Sequence, residues 1–212
     1  MPTGLLTSQV FTEFSTILIL ALTVGLAVVL TRAYAKSKAR SHLFWSIGLW
    51  LFALSVLLEV LFAFGVYSGF MIGMYLFLVV ALVESLAMGA VALYKSRKLE
   101  MYFGAFAIAS LAFAAYSIAT STIGNVLTNH VVFGVLPIMI ITASSIGTFP
   151  SAVALIAIAA ISYRKKKNPK MLSIISGVVI VSAAGTLYIS GFPSFLYYSE
   201  FVGILLLWLG FV

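Results

Sequence analysis

Three glutamates, Glu59, Glu84 and Glu200, stand inside long apolar runs that contain no Lys, Arg or His to neutralise them. Placing a charge at the centre of a bilayer costs about 2.5 kcal/mol on the mildest scale and far more on others. Each must therefore be protonated, hydrated or bound to a cation, the plainer alternative being a neutral carboxyl hydrogen-bonded to a neighbouring helix. The chemistry these groups suggest is the holding of a proton or small cation. A second polar group, Ser144, Ser145, Gly147, Thr148, Pro150 and Ser151, interrupts another apolar run. Pro150 removes one backbone hydrogen bond and exposes a carbonyl near position 146, so a helix break is expected at Gly147 and Pro150. Ser144, Ser145 and Thr148 would then offer ligand oxygens, as broken helices do at mid-membrane in transporters. The simpler reading is a proline kink patched by hydroxyls.

The elements that must position these groups follow from composition. The chain has 212 residues, of which 63% are hydrophobic and 8% charged, with a mean hydropathy of +1.21. That describes an integral membrane protein. All twelve Lys and Arg fall in three short segments, Arg32 to Arg40, Lys95 to Lys98 and Arg164 to Lys170. Basic loops stay on the cytoplasmic side, so these segments set the orientation, and the net charge of +7 is no sign of nucleic-acid binding.

A spanning helix needs about 20 apolar residues. This ruler expects spans at about 14–30, 43–64, 70–94, 101–123, 137–163, 171–190 and 195–212, within one transmembrane domain. The run from Val131 to Tyr163 is about 33 residues, or roughly 50 Å as a helix, too long for one straight crossing of about 30 Å. Two crossings would put Arg164 to Lys170 outside, so one crossing preceded by a short external or interfacial piece is expected. Asn125 to His130 reads as an external loop. The fold class is an all-α polytopic bundle of seven helices, N-terminus outside and C-terminus inside. Because Arg32 follows the first apolar run, that run reads as an uncleaved span rather than a signal peptide. Span 7 ends at Val212 without a polar stop, which leaves room for a further tail.

Turn and aromatic residues before span 3 (Gly65, Ser68, Tyr75) and before span 7 (Gly191, Ser194, Phe201) can be overlaid, which suggests a 3+1+3 parallel pseudo-repeat. Spans 4 to 6 are rich in Gly, Ala and Ser, which let membrane helices approach closely. Trp45, Tyr94, Tyr102 and Tyr163 on the inner side, with Tyr67, Phe192, Tyr197 and Tyr198 on the outer, are expected to anchor the two interfaces. On this ruler Glu59 and Glu200 both lie about 7 Å below the outer interface and could form one site, whereas Glu84 lies about 14 Å from the inner one.

The exclusions are broad. There is no cysteine, so thiolate metal sites and disulfides are absent. His42 and His130 fall on opposite faces and cannot be the axial pair of one haem. No span carries a Lys for a retinal Schiff base, no Pro-Gln dipeptide of the PQ-loop transporters is present, and protease and nucleotide-loop motifs are missing. No enzyme and no cofactor is expected.

The residues Phe44-Trp45, Gly48-Leu49, Phe52-Ala53 and Glu59, together with Phe195 to Gly203 around Glu200, resemble those of a group of uncharacterised prokaryotic multi-span membrane proteins. The resemblance covers spans 2, 3 and 7 and carries no activity, but it points to Glu59 and Glu200 as related. The functional expectation is a multi-pass protein of the cytoplasmic membrane that binds or moves a cation, proton or polar solute, with lipid and, as a homo-oligomer, copies of itself as partners. Alternatives are an accessory subunit of a larger membrane complex, such as a respiratory one, and a membrane sensor.

Overall fold

The computed structural model describes residues 9–123, 127–128, 131–132, 136–167, 169–170, 172–177, 179–180 and 193–211. The described chain is helical apart from one small ladder. Helix α1 is Gln9–Ser37, α2 Arg40–Ala63, α3 Gly69–Leu93, α4 Arg97–Thr120 and α5 Ile138–Lys166. The described residues between 169 and 180 are helical and form α6, and α7 is Pro193–Phe211. Helices are the open-ended structure that satisfies every backbone group internally in hydrocarbon, so apolar runs of this length adopt no other. Five of them, α1 to α5, are long and apolar enough to cross a membrane, and Tyr197–Phe211 of α7 is a shorter apolar helix. The bundle is that of an integral membrane protein.

Within the expected external loop, Leu127–Thr128 pairs antiparallel with Val131–Val132, a ladder of two residues on each side. Asn125, Asn129 and His130 lie outside the described residues, as do Gly191 and Phe192.

Helix ends explain how the chain folds back on itself. Gly65, at φ 78°, turns α2 toward α3, and Ser68 caps α3 by accepting a hydrogen bond from the Met71 amide at 3.2 Å. Ser96 caps α4 in the same way through the Leu99 amide. At the opposite end α1, α3 and α5 are each followed by a lysine in the left-handed region, Lys38, Lys95 and Lys167. Arg40, at the start of α2, pairs with Glu100, at the start of α4, at 2.9 Å, so the first two basic segments share one end of the bundle. His42 accepts or donates at Ser37 Oγ, 2.7 Å away, within the first of these turns.

Helix α3 is the central element, packed against α2, α4 and α5, while α1 packs against α2 and α7. Close approach depends on small residues. The Trp45 ring lies over Gly89, where any Cβ would collide with it, and its Nε1 donates to the Leu86 carbonyl at 3.2 Å. Trp208 of α7 lies beside Gly25 of α1 and donates to the Leu22 carbonyl at 3.0 Å. Gly177 of α6 faces the Gly203 carbonyl of α7, and Ser173 donates to the Leu206 carbonyl at 2.6 Å. These contacts fit a medium in which packing and hydrogen bonds, rather than water exclusion, hold helices together.

Two of the expected interfacial anchors are instead interior. Trp45 and Tyr197 are buried, Trp45 because the glycine opposite it opens a slot in α3, whereas Tyr67, Tyr94, Tyr102 and Tyr198 are exposed as anchors would be. A second departure concerns α5, which runs unbroken through Pro150. One missing amide costs less than unwinding a turn, which would leave several more backbone groups unpaired in hydrocarbon. The Thr148 hydroxyl donates to the Ser144 carbonyl at 2.8 Å, so it supports the helix rather than projecting a free ligand.

Candidate functional site

Trp45, Phe52 and Glu59 are seven residues apart on α2 and fall on one helical face, which is the buried one. With Gly48, Leu49 and Ala53 they make up the inward surface of α2. It ends, near the turn to α3, in Glu59. On α7 the buried face runs through Tyr197, Glu200, Ile204 and Leu207. The packing of α7 against α1, fixed by Trp208, carries Glu200 into the half of the bundle that holds the turn from α2 to α3.

There the two acids meet. The Glu59 carboxyl is hydrogen-bonded to Tyr75 of α3 and to Glu200. Both glutamates are buried at 5% exposure, and each keeps one carboxyl oxygen, Oε2, without a hydrogen-bond partner among the described residues. An ionised carboxylate only accepts hydrogen bonds, so a bond between two carboxyls requires a proton on at least one of them. Two charges so close in a medium of low dielectric cannot both form cheaply, and the pair must gain and lose protons as a unit. Tyr75 adds a hydroxyl from a third helix, a contact that no local sequence signal announces.

Glu84 lies elsewhere. It projects from α3 nine residues beyond Tyr75, about 13.5 Å along the helix axis, and it is 2% exposed. Ser110 of α4 donates to its Oε1, and its Oε2 has no partner among the described residues. Gly147 of α5 closes the third side: a Cβ there would stand 2.8 Å from Glu84 Oε1 and 2.6 Å from Val80 Cγ1. Between Tyr75 and Glu84, α3 presents only apolar side chains, from Leu76 to Val83. The acid pair and Glu84 are therefore two sites.

No family model, curated protein or solved structure matches this chain. The site has to be read from its own geometry.

The remaining candidates separate according to α5. Ser145 is exposed on its outer surface, and Ser144 and Thr148 are half-buried, their mutual bond within the helix. Gly147, expected as a weak point of the helix, serves as the place where α5 and the Glu84 carboxyl approach. Ser151, one turn further along the same face as Gly147, is fully buried and its hydroxyl has no partner among the described residues. Ser110 was not singled out by sequence, because a serine in a small-residue helix carries no signal until its facing residue is known.

Proposed function

We propose that this chain is a seven-span protein of the cytoplasmic membrane, N-terminus outside and C-terminus inside, which binds a proton or small cation at the buried Glu59–Glu200–Tyr75 cluster and passes it on within the bundle. The observation that carries the reading is the hydrogen-bonded pair of carboxyls, one from α2 and one from α7. Packing alone gives no reason for two acids here, since an amide or a hydroxyl would satisfy the same contacts without needing a proton. Clustering of Lys and Arg at the opposite end supports the orientation, and the turn residues before α3 and near the start of α7 support a 3+1+3 arrangement.

The test is functional reconstitution. In liposomes loaded with a pH-sensitive dye, the wild-type chain should couple an imposed cation or proton gradient to a change in lumenal pH. Glu59→Gln and Glu200→Gln should each abolish that signal, and the double variant should lose nothing further, because one unit is being removed. Infrared titration should show the protonated carboxyl of the pair altered by either substitution. Intact gradient coupling in both single variants would refute the reading. Other chains in a native mass spectrum, with no ion dependence, would favour an accessory subunit.

A further inference from the structure

Hydroxyls of buried helical Ser and Thr normally donate to the carbonyl three or four residues earlier. That holds through most of this bundle: Thr23 donates to Ile19, Ser55 to Phe52, Ser117 to Phe113 and Thr148 to Ser144, each at 2.8 Å. Ser151 departs from the pattern. It is 0% exposed, yet its Oγ bonds neither to its own helix nor to any neighbour among the described residues. Gly147, one turn earlier on the same face, touches Glu84, whose Oε2 is buried and equally without a partner. Three helices thus bring oxygens to this region: Glu84 of α3, Ser110 Oγ of α4, which is bonded to it, and Ser151 Oγ of α5, one turn from the Gly147 contact and on the same buried face.

We infer that Glu84, Ser110 and Ser151 form a monovalent-cation site of the sodium class, at which the cation replaces the proton of Glu84. Hard cations take oxygen donors, and here every available donor is an oxygen. One carboxylate balances one positive charge, which leaves the occupied site neutral in hydrocarbon, whereas a divalent ion would leave a charge uncompensated. The neighbouring helices bring no competing charge to this depth. On α2 the charged or titratable groups are Arg40 and His42 at its start and Glu59 near its end; α4 has Arg97, Lys98 and Glu100 in its first turn with the exposed Tyr102 and Tyr116, and α5 has Tyr163 to Lys166 at its end. Sodium and protons should therefore compete directly, with acid displacing the ion.

This inference deepens the proposed reading of a cation- or proton-binding bundle, and its test is an equilibrium measurement that holds whether or not an ion crosses. A hydrophobic carbodiimide reacts with protonated buried carboxyls, and peptide mass spectrometry reports Glu59, Glu84 and Glu200 separately. On the purified full chain, labelling of Glu84 in choline chloride should be slowed about tenfold when the choline is replaced by sodium at ten times its Kd. Ser151→Ala should lose that protection, while Ser117→Ala, whose hydroxyl is bonded within α4, should keep it. Sodium should also raise the melting temperature of the wild type more than that of Ser151→Ala, a comparison that decides the matter if Glu84 does not react. Equal labelling in both salts, equal protection of all three carboxyls, or full protection in Ser151→Ala would overturn the site, and equal melting shifts would do the same.

Discussion

Gly147 is the residue on which the geometry around Glu84 depends. A methyl group there would enter the space between Val80 and the carboxyl at distances under 3 Å, so α5 would have to move away from α3. Gly147→Ala is expected to destabilise the protein by about 1–3 kcal/mol, the usual range for overpacking. Gly104→Ala provides the comparison, because its Cβ would meet Met88 Cε at 3.5 Å, an ordinary contact, and should change stability by less than about 0.5 kcal/mol. Thermal melting of the two variants in one detergent checks the difference, and equal losses would show that the α3–α5 approach is not tight. Ser110→Ala should cost about 1–3 kcal/mol, since it withdraws a donor from a buried acid.

At the scale of elements, the ends of α1, α3 and α5 stand out. Lysine in the left-handed region costs about 1–2 kcal/mol, and glycine is the usual residue there. Lys38, Lys95 and Lys167 nevertheless occupy the position at the basic end of the bundle. A cation just beyond a helix C-terminus meets the negative end of the helix dipole, and a basic loop holds the orientation, so two favourable effects oppose the strain. Lys95→Gly should therefore raise stability by no more than about 1 kcal/mol, measured as a small rise in melting temperature. A marked fall would show that the side chain outweighs its backbone cost. The Arg40–Glu100 pair is a weaker tie, since Arg40 is 64% exposed. Glu100→Gln should cost under about 1 kcal/mol, with the difference shrinking at high salt. In α5, which runs unbroken through the exposed Pro150, Pro150→Ala should keep the helix intact and leave sodium protection of Glu84 unchanged.

For the whole molecule, the arrangement of ends makes a topological prediction. Single cysteines at Ser37, Ser96 and Asn168 should be labelled from the cytoplasmic side, and cysteines at Tyr67 and Asn125 from outside. The chain has no cysteine of its own, so each label is unambiguous. External labelling at 168 would mean that the segment from 131 to 163 does not cross once, and the orientation would have to be redrawn. The two acid sites also sit at different depths, with apolar residues of α3 between them. An ion or proton moving from one to the other needs a rearrangement of α3 against α5 or α7, since no fixed chain of polar side chains on α3 joins them.

What the sequence by itself determined was the membrane class and the helical state. These are local properties: apolar length, turn residues and the position of basic clusters act on the segment that carries them, and hydrocarbon leaves a backbone no alternative. Only the tertiary structure decided which groups meet. Tyr75 reaches Glu59, Ser110 reaches Glu84, Ser151 stands without its customary bond, and Trp45 turns inward over Gly89, each because of a residue on another helix. The unbroken α5 belongs here too, since a proline's effect depends on how many backbone groups its surroundings would leave unpaired. In a bundle whose helices are apolar on nearly every face, hydropathy does not choose neighbours, and close packing through glycine and serine does.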